Sequence, residues 1–309
     1  MDKNPPDFLL DLELTLSRTL ILLNIKEGTF MFHKDKVWFI TGCSTGFGRA
    51  IAEKASAAGY KVVATARNKD TLTHLLGRHE LDVLTLELDV RKKEQVEDSV
   101  NQAIARFGRI DVLVNNAGIG YFSSVEDSIE EETRKMFEIN FWGLMSVTRT
   151  VLPHMRSQKS GHIINFSSIG GVASFPIFGY YHATKYAVEG ISETLAQEVK
   201  PFNIKVTLIE PSAFRTDWAG RSAVKTESSI PEYGEFLRLW KESHPLGQEP
   251  GDPARAAEAI ITVVETENPP LHLLLGDRAY QVAKRKFADM LQSIEKWGKI
   301  TLDVEYNKH

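Results

Sequence analysis

The chain has 309 residues, with 37 Lys plus Arg against 41 Asp plus Glu, giving a formal net charge of −4. Apolar residues make up 42% and charged residues 25%, an ordinary globular composition that excludes bulk disorder, collagen-like repeats and low complexity. Mild acidity without a long Lys/Arg run argues against a nucleic-acid-binding or polybasic membrane-surface protein. The single cysteine, Cys43, excludes an intramolecular disulfide and leaves a structural zinc site without its usual sulfurs, so a reducing, cytoplasmic setting is expected.

Residues 1–33 read as an extension. The leucine-rich stretch 9–25 is interrupted by Asp11, Glu13, Arg18 and Asn24, too short and too charged to span a membrane. Asp2, Asp7 and Asp11 stand where a secretory signal would be basic. Two readings stay open: a short amphipathic helix, or an over-extended reading frame. Lys26-Glu27-Gly28 is compatible with a purine-rich ribosome-binding sequence, and Met31 follows as an alternative start.

From residue 34 the pattern is regular. Strands are expected at 37–41, 61–66, 83–88, 110–115, 162–167, 205–210 and 271–275. Helices are expected at about 46–58, near Leu72, and at 92–107, 128–156, 180–199, 253–266 and 277–297. This alternation implies a single doubly wound α/β domain over 34–309, with a mostly parallel seven-stranded sheet covered by helices on both faces. Residues 212–252 are irregular but carry Phe214, Trp218, Tyr233, Phe236, Leu237 and Trp240, too aromatic for a disordered linker; a lid containing a short helix is expected.

The run Thr41-Gly42-Cys43-Ser44-Thr45-Gly46-Phe47-Gly48 joins the first strand to the first helix. Glycines at 42, 46 and 48 let the backbone turn tightly against a pyrophosphate, and the helix N-terminus offers unpaired N–H groups to it. Cys43 is read as a small loop residue. At the end of the second strand, where an acidic residue would bind a ribose 2′-hydroxyl, the chain has Ala66-Arg67. Arg67 can instead pair with a 2′-phosphate, which points to NADP. Asp89, ending the third strand, is either an adenine contact or a helix N-cap.

These residues, with Asn115-Asn116-Ala117-Gly118, Asn140, Ser168 and Tyr181-His182-Ala183-Thr184-Lys185, resemble the short-chain dehydrogenase/reductase family, in the branch with T-G-x-x-x-G-x-G and Y-x-x-x-K. The segment from Phe214 onward is most similar to the hydroxysteroid-dehydrogenase-like subgroup. The resemblance implies a Rossmann fold, a catalytic set of Tyr181, Lys185, Ser168 and Asn140, and cofactor contacts from Gly42, Ser44, Thr45, Gly46, Phe47, Gly48, Arg67, Asp89, Asn116, Gly118, Tyr181, Lys185, Pro211 and Thr216. By the same resemblance the Asn140 carbonyl holds a water of a proton relay, and Ser168 orients the substrate. No metal is required. Ser212 stands where the family has glycine, which puts the local backbone geometry in question. In many relatives the helices matching 128–156 and 180–199 join subunits, so a homodimer or homotetramer is implied.

The residues support this reading independently. Tyr181 and Lys185 are four apart on an expected helix and share one face, whereas Tyr180 points elsewhere. A free phenol has a pKa of about 10, and a nearby ammonium lowers it toward a useful range. Ser168 is preferred over Ser167, whose side chain should point to the other face. His182 is read as a spacer.

The pocket is expected between 119–122, 169–179 and 214–240, its apolar lining suited to a hydrophobic ketone, aldehyde or secondary alcohol. Arg215 and Arg221 are the lid candidates for a substrate carboxylate. The expected activity is NADP(H)-dependent carbonyl–alcohol interconversion. Two alternatives stand beside it: a non-catalytic NADP sensor, and a nucleotide-sugar epimerase or dehydratase.

Overall fold

The hydrophobic strand Val37–Ile40 (β1) is buried along its whole length, and its side chains alternate between two cores. Trp38 and Ile40 enter one core; Val37 and Phe39 enter the other. That two-residue period is what a sheet packed on both faces demands. The computed structural model describes residues 35–75 and 81–306, which form one compact unit. The N-terminal helix or alternative start considered above lies outside the described residues.

Helix α1 (Gly46–Ala57) follows, then β2 (Lys61–Ala66), β3 (Val83–Glu87), α2 (Lys93–Phe107), β4 (Val112–Asn115) and β5 (Gly120–Phe122). Next come α3 (Glu130–Phe137), α4 (Leu144–Gln158), β6 (Gly161–Phe166), α5 (Gly179–Val199) and β7 (Ile204–Pro211). The chain ends with β8 (Ala223–Lys225), α6 (Pro231–Ser243), α7 (Pro253–Glu265), β9 (His272–Leu275) and α8 (Asp277–Leu302). The main sheet has seven strands in the order β3-β2-β1-β4-β6-β7-β9, every neighbouring pair parallel. The doubly wound α/β class is therefore the observed fold. Helices α1 and α7 pack on the core that takes Trp38 and Ile40, while α2, α4 and α5 cover the opposite core. Each large side chain removed from water there contributes about 1.5–3 kcal/mol.

Chain order reverses between β1 and β4, so the connections leaving these strands diverge to opposite faces. A crevice opens beyond their carboxyl ends, the position where ligands of such sheets bind.

Three details depart from the sequence expectation. The helix expected over 128–156 is interrupted by a π-helical turn, Glu138–Gly143, which contains Asn140. The helical stretch near Leu72 is a 3-10 segment, Lys69–Leu75. Within 212–252, α6 is accompanied by β8, which pairs in parallel with β5 in a separate two-stranded sheet. Periodicity cannot reveal a three-residue strand whose partner lies a hundred residues away. Among the described residues, no helix is long and apolar enough to cross a membrane.

Candidate active site

The glycine loop leaves β1 and enters α1 under tight steric control. Gly42 and Gly46 have φ of +72° and +60°, where L side chains are strained. A Cβ on Gly48 would overlap the Gly42 carbonyl oxygen and the Asn116 side-chain amide. Asn116 braces the loop from β4: its Nδ2 donates to the carbonyls of Thr41 (2.9 Å) and Gly42 (3.1 Å). Its backbone N–H donates to Thr41 Oγ1 at 3.0 Å. Asn115 is fixed within the sheet, its Nδ2 donating to Thr148 Oγ1 and Asn165 Oδ1, both at 2.9 Å. Ser44, Thr45 and Phe47 complete the loop, and Phe47 packs against Phe166 and Phe214 with ring centroids 5.2 and 5.0 Å away. Across the crevice, Thr216 approaches the position a Gly46 Cβ would take, to 3.4 Å. The glycines thus bring bare backbone to the N-terminus of α1, with Thr216 facing it, a donor set whose chemistry suits a pyrophosphate. Cys43 is fully buried, and burial raises its thiol pKa to about 12, which makes it unreactive.

Arg67 lies exposed beyond β2, and its charge helps hold Asp89 ionised. Asp89 is paired with Arg91, Nη2 to Oδ2 at 2.5 Å, and this contact is the main reason its pKa falls below the usual carboxylate range. It is not the N-cap of α2, a position held by Lys92. The sequence reading missed Arg91, a second guanidinium that acts on Asp89 besides Arg67; the D-x-R spacing was the available signal.

Helix α5 carries Tyr181 and Lys185 one turn apart, 7% exposed each. Lys185 Nζ donates to the Phe166 carbonyl at 2.7 Å and lies 5.7 Å from the Tyr181 ring centroid. Burial raises the Tyr181 phenol to about 12, opposed by a hydrogen bond from Ser168. Burial also lowers Lys185 to about 8, opposed by the charge of Glu189. In the protein alone desolvation thus outweighs the lowering of the phenol pKa anticipated from the ammonium. Ser168 starts the turn after β6, its Oγ accepting from the Gly170 N–H at 3.0 Å. His182 fastens that turn: Phe175 N–H donates to its Nε2, and Nδ1 meets the Gly170 carbonyl, both at 2.9 Å. Both ring nitrogens are spent on backbone, which makes His182 a buttress of the serine turn.

The Asn140 side chain is committed elsewhere. Its Nδ2 donates to the Ile119 carbonyl at 3.0 Å and to Thr184 Oγ1 at 3.2 Å, while Oδ1 accepts from the Ile119 N–H at 2.8 Å. The same Oδ1 would lie 3.3 Å from a Cβ on Gly118, so a side chain there would press on Asn140. Pro211 ends β7, and Ser212 N–H donates to the Leu275 carbonyl at 3.0 Å. Ser212 has no positive φ, so the position tolerates serine where the family pattern has glycine.

Ser168, Tyr181 and Lys185 open onto a cavity of about 390 Å³, walled by Phe175, Phe178, Trp218 and Trp240. Trp218 lies 4.9 Å from the Tyr181 ring, and Phe122 joins Phe178 and Trp240 at 4.7 and 4.6 Å. Arg215 and Arg221 do not line it: Arg215 Nε donates to the Glu249 carbonyl at 2.7 Å, and Arg221 pairs with Asp217 at 2.8 Å. Arg278, from the start of α8, lines the cavity instead, with Nη1 2.6 Å from His244 Nε2. Nothing in the local sequence around Arg278 marks it, because the fold brings it back to the site from the end of the chain.

The short chain dehydrogenase family model matches residues 36–226. The oxidoreductase BOA17 of Botryotinia fuckeliana is 40% identical over 271 residues, covering 86% of this chain and 98% of that protein. A 3-ketodihydrosphingosine reductase of Bacteroides thetaiotaomicron is 38% identical over 245 residues, covering 79% of this chain and 88% of that protein. A short-chain dehydrogenase from Streptomyces avermitilis superposes with a TM-score of 0.82 at 41% identity, covering 88% of this chain and 98% of that one. Cofactor complexes are found among structural neighbours. An alcohol dehydrogenase from Thermococcus sibiricus binds 5-hydroxy-NADP (TM-score 0.65, 29% identity, 78% and 95% covered). A protein from Burkholderia phymatum binds NAD (TM-score 0.72, 26% identity, 85% and 97% covered). With its parallel sheet, glycine loop and Tyr–Lys helix, the chain belongs to the short-chain dehydrogenase/reductase family of oxidoreductases, which act on CH–OH groups with a nicotinamide cofactor.

Proposed function

We propose that the protein interconverts a hydrophobic ketone or aldehyde and its alcohol, using NADP(H), with Tyr181 moving the proton. The observation that carries this reading is the convergence of Tyr181, Ser168 and Lys185 on one aromatic-walled cavity beyond the sheet's carboxyl edge. When bound, the nicotinamide supplies or accepts the hydride. The protein's part is to place and charge the reacting oxygen. Tyr181 is fully protonated at neutral pH in the protein alone, which suits donation to a carbonyl oxygen in the reductive direction. Ser168 hydrogen-bonds that same oxygen and shares its developing charge. Lys185, held by the Phe166 carbonyl, stabilises the phenolate left behind. Asn140, its side chain engaged, contributes through its backbone within the π-helical turn, where the regular helical hydrogen-bond ladder is broken.

Arg67, exposed at the end of β2 where an acidic residue would favour NAD, supports NADP, since a guanidinium suits a 2′-phosphate. Gly42, Ser44, Thr45, Gly46, Phe47 and Gly48 cradle the pyrophosphate. Asn116 and Gly118 shape that cradle, Pro211 and Thr216 close it, and residues 212–252 act as the lid. Asp89 holds Arg91 in place beside the adenosine end. The relatives' names favour no single substrate; an apolar carbonyl compound is the class the aromatic wall favours.

The test is NADPH consumption with a panel of hydrophobic ketones and aldehydes, comparing the wild type with Tyr181→Phe. Turnover by the wild type alone supports the reading. Equal turnover by both removes Tyr181 from the chemistry, and failure of both with every carbonyl favours a non-catalytic sensor.

A further inference from the structure

Behind Lys185 the protein buries two carboxylates together. Glu189 on α5 and Glu210 on β7 are 6% and 2% exposed. A carboxylate oxygen of each and a ring nitrogen of His272 on β9 all lie within 4.8 Å of one another. His272 Nδ1 is 2.7 Å from Glu210 and 3.5 Å from Glu189. Glu189 stands one turn beyond Lys185 and two beyond Tyr181, on the same helix face. It also faces the serine turn. A Cβ on Gly171 would meet Ser167 Oγ at 2.5 Å and Glu189 Oε1 at 2.9 Å, and the buried Ser167 hydroxyl has its polar neighbour in Glu189.

Two carboxylates this close and this dry do not both stay ionised without compensation. His272 Nδ1 closes on Glu210 at 2.7 Å, and a proton can bridge the facing oxygens of the two carboxylates. The charged and titratable groups facing Glu189 are Lys185 and Glu193 on α5, Glu210 on β7 and His272 on β9, with Ser167 the polar group of the turn.

We propose that Glu189 and Glu210 share one proton, fastened by His272, and that Glu189 is a positioning residue that sustains the ammonium of Lys185 and the turn carrying Ser168. This rests on the reading of Lys185 and Ser168 given above. Burial raises the Glu189 carboxyl to about 7 and raises Glu210 as well. As pH rises through neutrality the shared proton leaves, and the added negative charge favours the ammonium against burial. Without that carboxylate, Lys185 loses its proton at lower pH.

The experiment is the pH profile of kcat/KM for carbonyl reduction in wild type, Glu189→Gln and the exposed control Glu198→Gln, together with a 13C carboxyl NMR titration of glutamate-labelled protein. The alkaline limb is expected to fall about one pH unit earlier in Glu189→Gln, and to stay in place in Glu198→Gln. One carboxyl resonance is expected to titrate near neutrality in the wild type and to vanish in Glu189→Gln. Glu210→Gln removes the shared proton from the other side, so it must abolish the same titration if Glu189→Gln fails to fold. An unshifted limb in an active Glu189→Gln enzyme overturns the inference alone. Two carboxyls titrating at ordinary values, or a pair whose resonances shift on adding Mg²⁺, overturns the shared proton. Carbonyl reduction that survives Tyr181→Phe defeats the catalytic reading and leaves the carboxyl titration standing as a separate result.

Discussion

The cofactor side and the substrate side of the crevice are built on different principles. On the cofactor side, the glycine loop presents bare backbone, half-buried Asn116 locks that backbone from the next strand, and buried Asn115 ties the sheet beneath it. On the substrate side, aromatic rings from distant segments meet over a cavity, and Arg238 and Arg221 pair with Glu235 and Asp217 at the surface. The first arrangement is rigid and intolerant of change, because each glycine and amide has one compatible neighbour. The second admits substitution, since apolar contacts are non-directional and additive only in part. Fixed chemistry and variable specificity can therefore occupy one fold.

The largest effect that separates the two sides is expected at Tyr181. Its replacement by Phe removes the proton donor while keeping the ring beside Trp218, and turnover should fall about 10²- to 10⁴-fold with little change in cofactor affinity. Next is the loop. Gly48→Val places atoms against the Gly42 carbonyl and Asn116, so cofactor binding measured by fluorescence should be lost and thermal stability should fall by about 1–3 kcal/mol. Arg67→Ala should raise the KM for NADPH by about tenfold or more, with little effect on NADH, because a charge-assisted pair contributes about 1.5–3 kcal/mol. The substrate side should respond least: Trp240→Ala should raise KM for bulky ketones by about tenfold and spare small ones. A response at Trp240 larger than at Tyr181 would invert the comparison.

A pH measurement sharpens the rigid side. His162 sits 4% exposed within β6, its Nε2 2.9 Å from Thr207 Oγ1, and burial lowers its pKa from 6.5 to about 3. The folded protein therefore keeps this ring neutral where an unfolded chain protonates it. Its contribution is complete above pH 6.5 and is lost as pH falls toward 3. Denaturant titrations at pH 7, 5 and 4 should show stability dropping over that window, with a shallower drop in His162→Asn.

Legibility in the sequence followed the same division. The sheet, the glycine loop and the Tyr–Lys pair were readable because each is local, with a two-residue strand period, a short glycine spacing or a helical i, i+4 step. The π-helical turn at Asn140 was not, since one extra residue in a turn leaves the surrounding helical pattern intact. The β5–β8 pair, the bracing role of Asn116 and the return of Arg278 to the cavity all depend on contacts far apart in the chain. Arg215 and Arg221 looked eligible by position alone, and local hydrogen bonding turns both away from the cavity.

A crystal structure of the enzyme with NADP and a hydrophobic alcohol tests the central claim most directly. The account predicts the Tyr181 hydroxyl within about 2.6–3.2 Å of the alcohol oxygen, Ser168 sharing that oxygen, and Lys185 turned toward the cofactor ribose. An alcohol bound with its oxygen out of reach of Tyr181, while another side chain holds its proton, would contradict it.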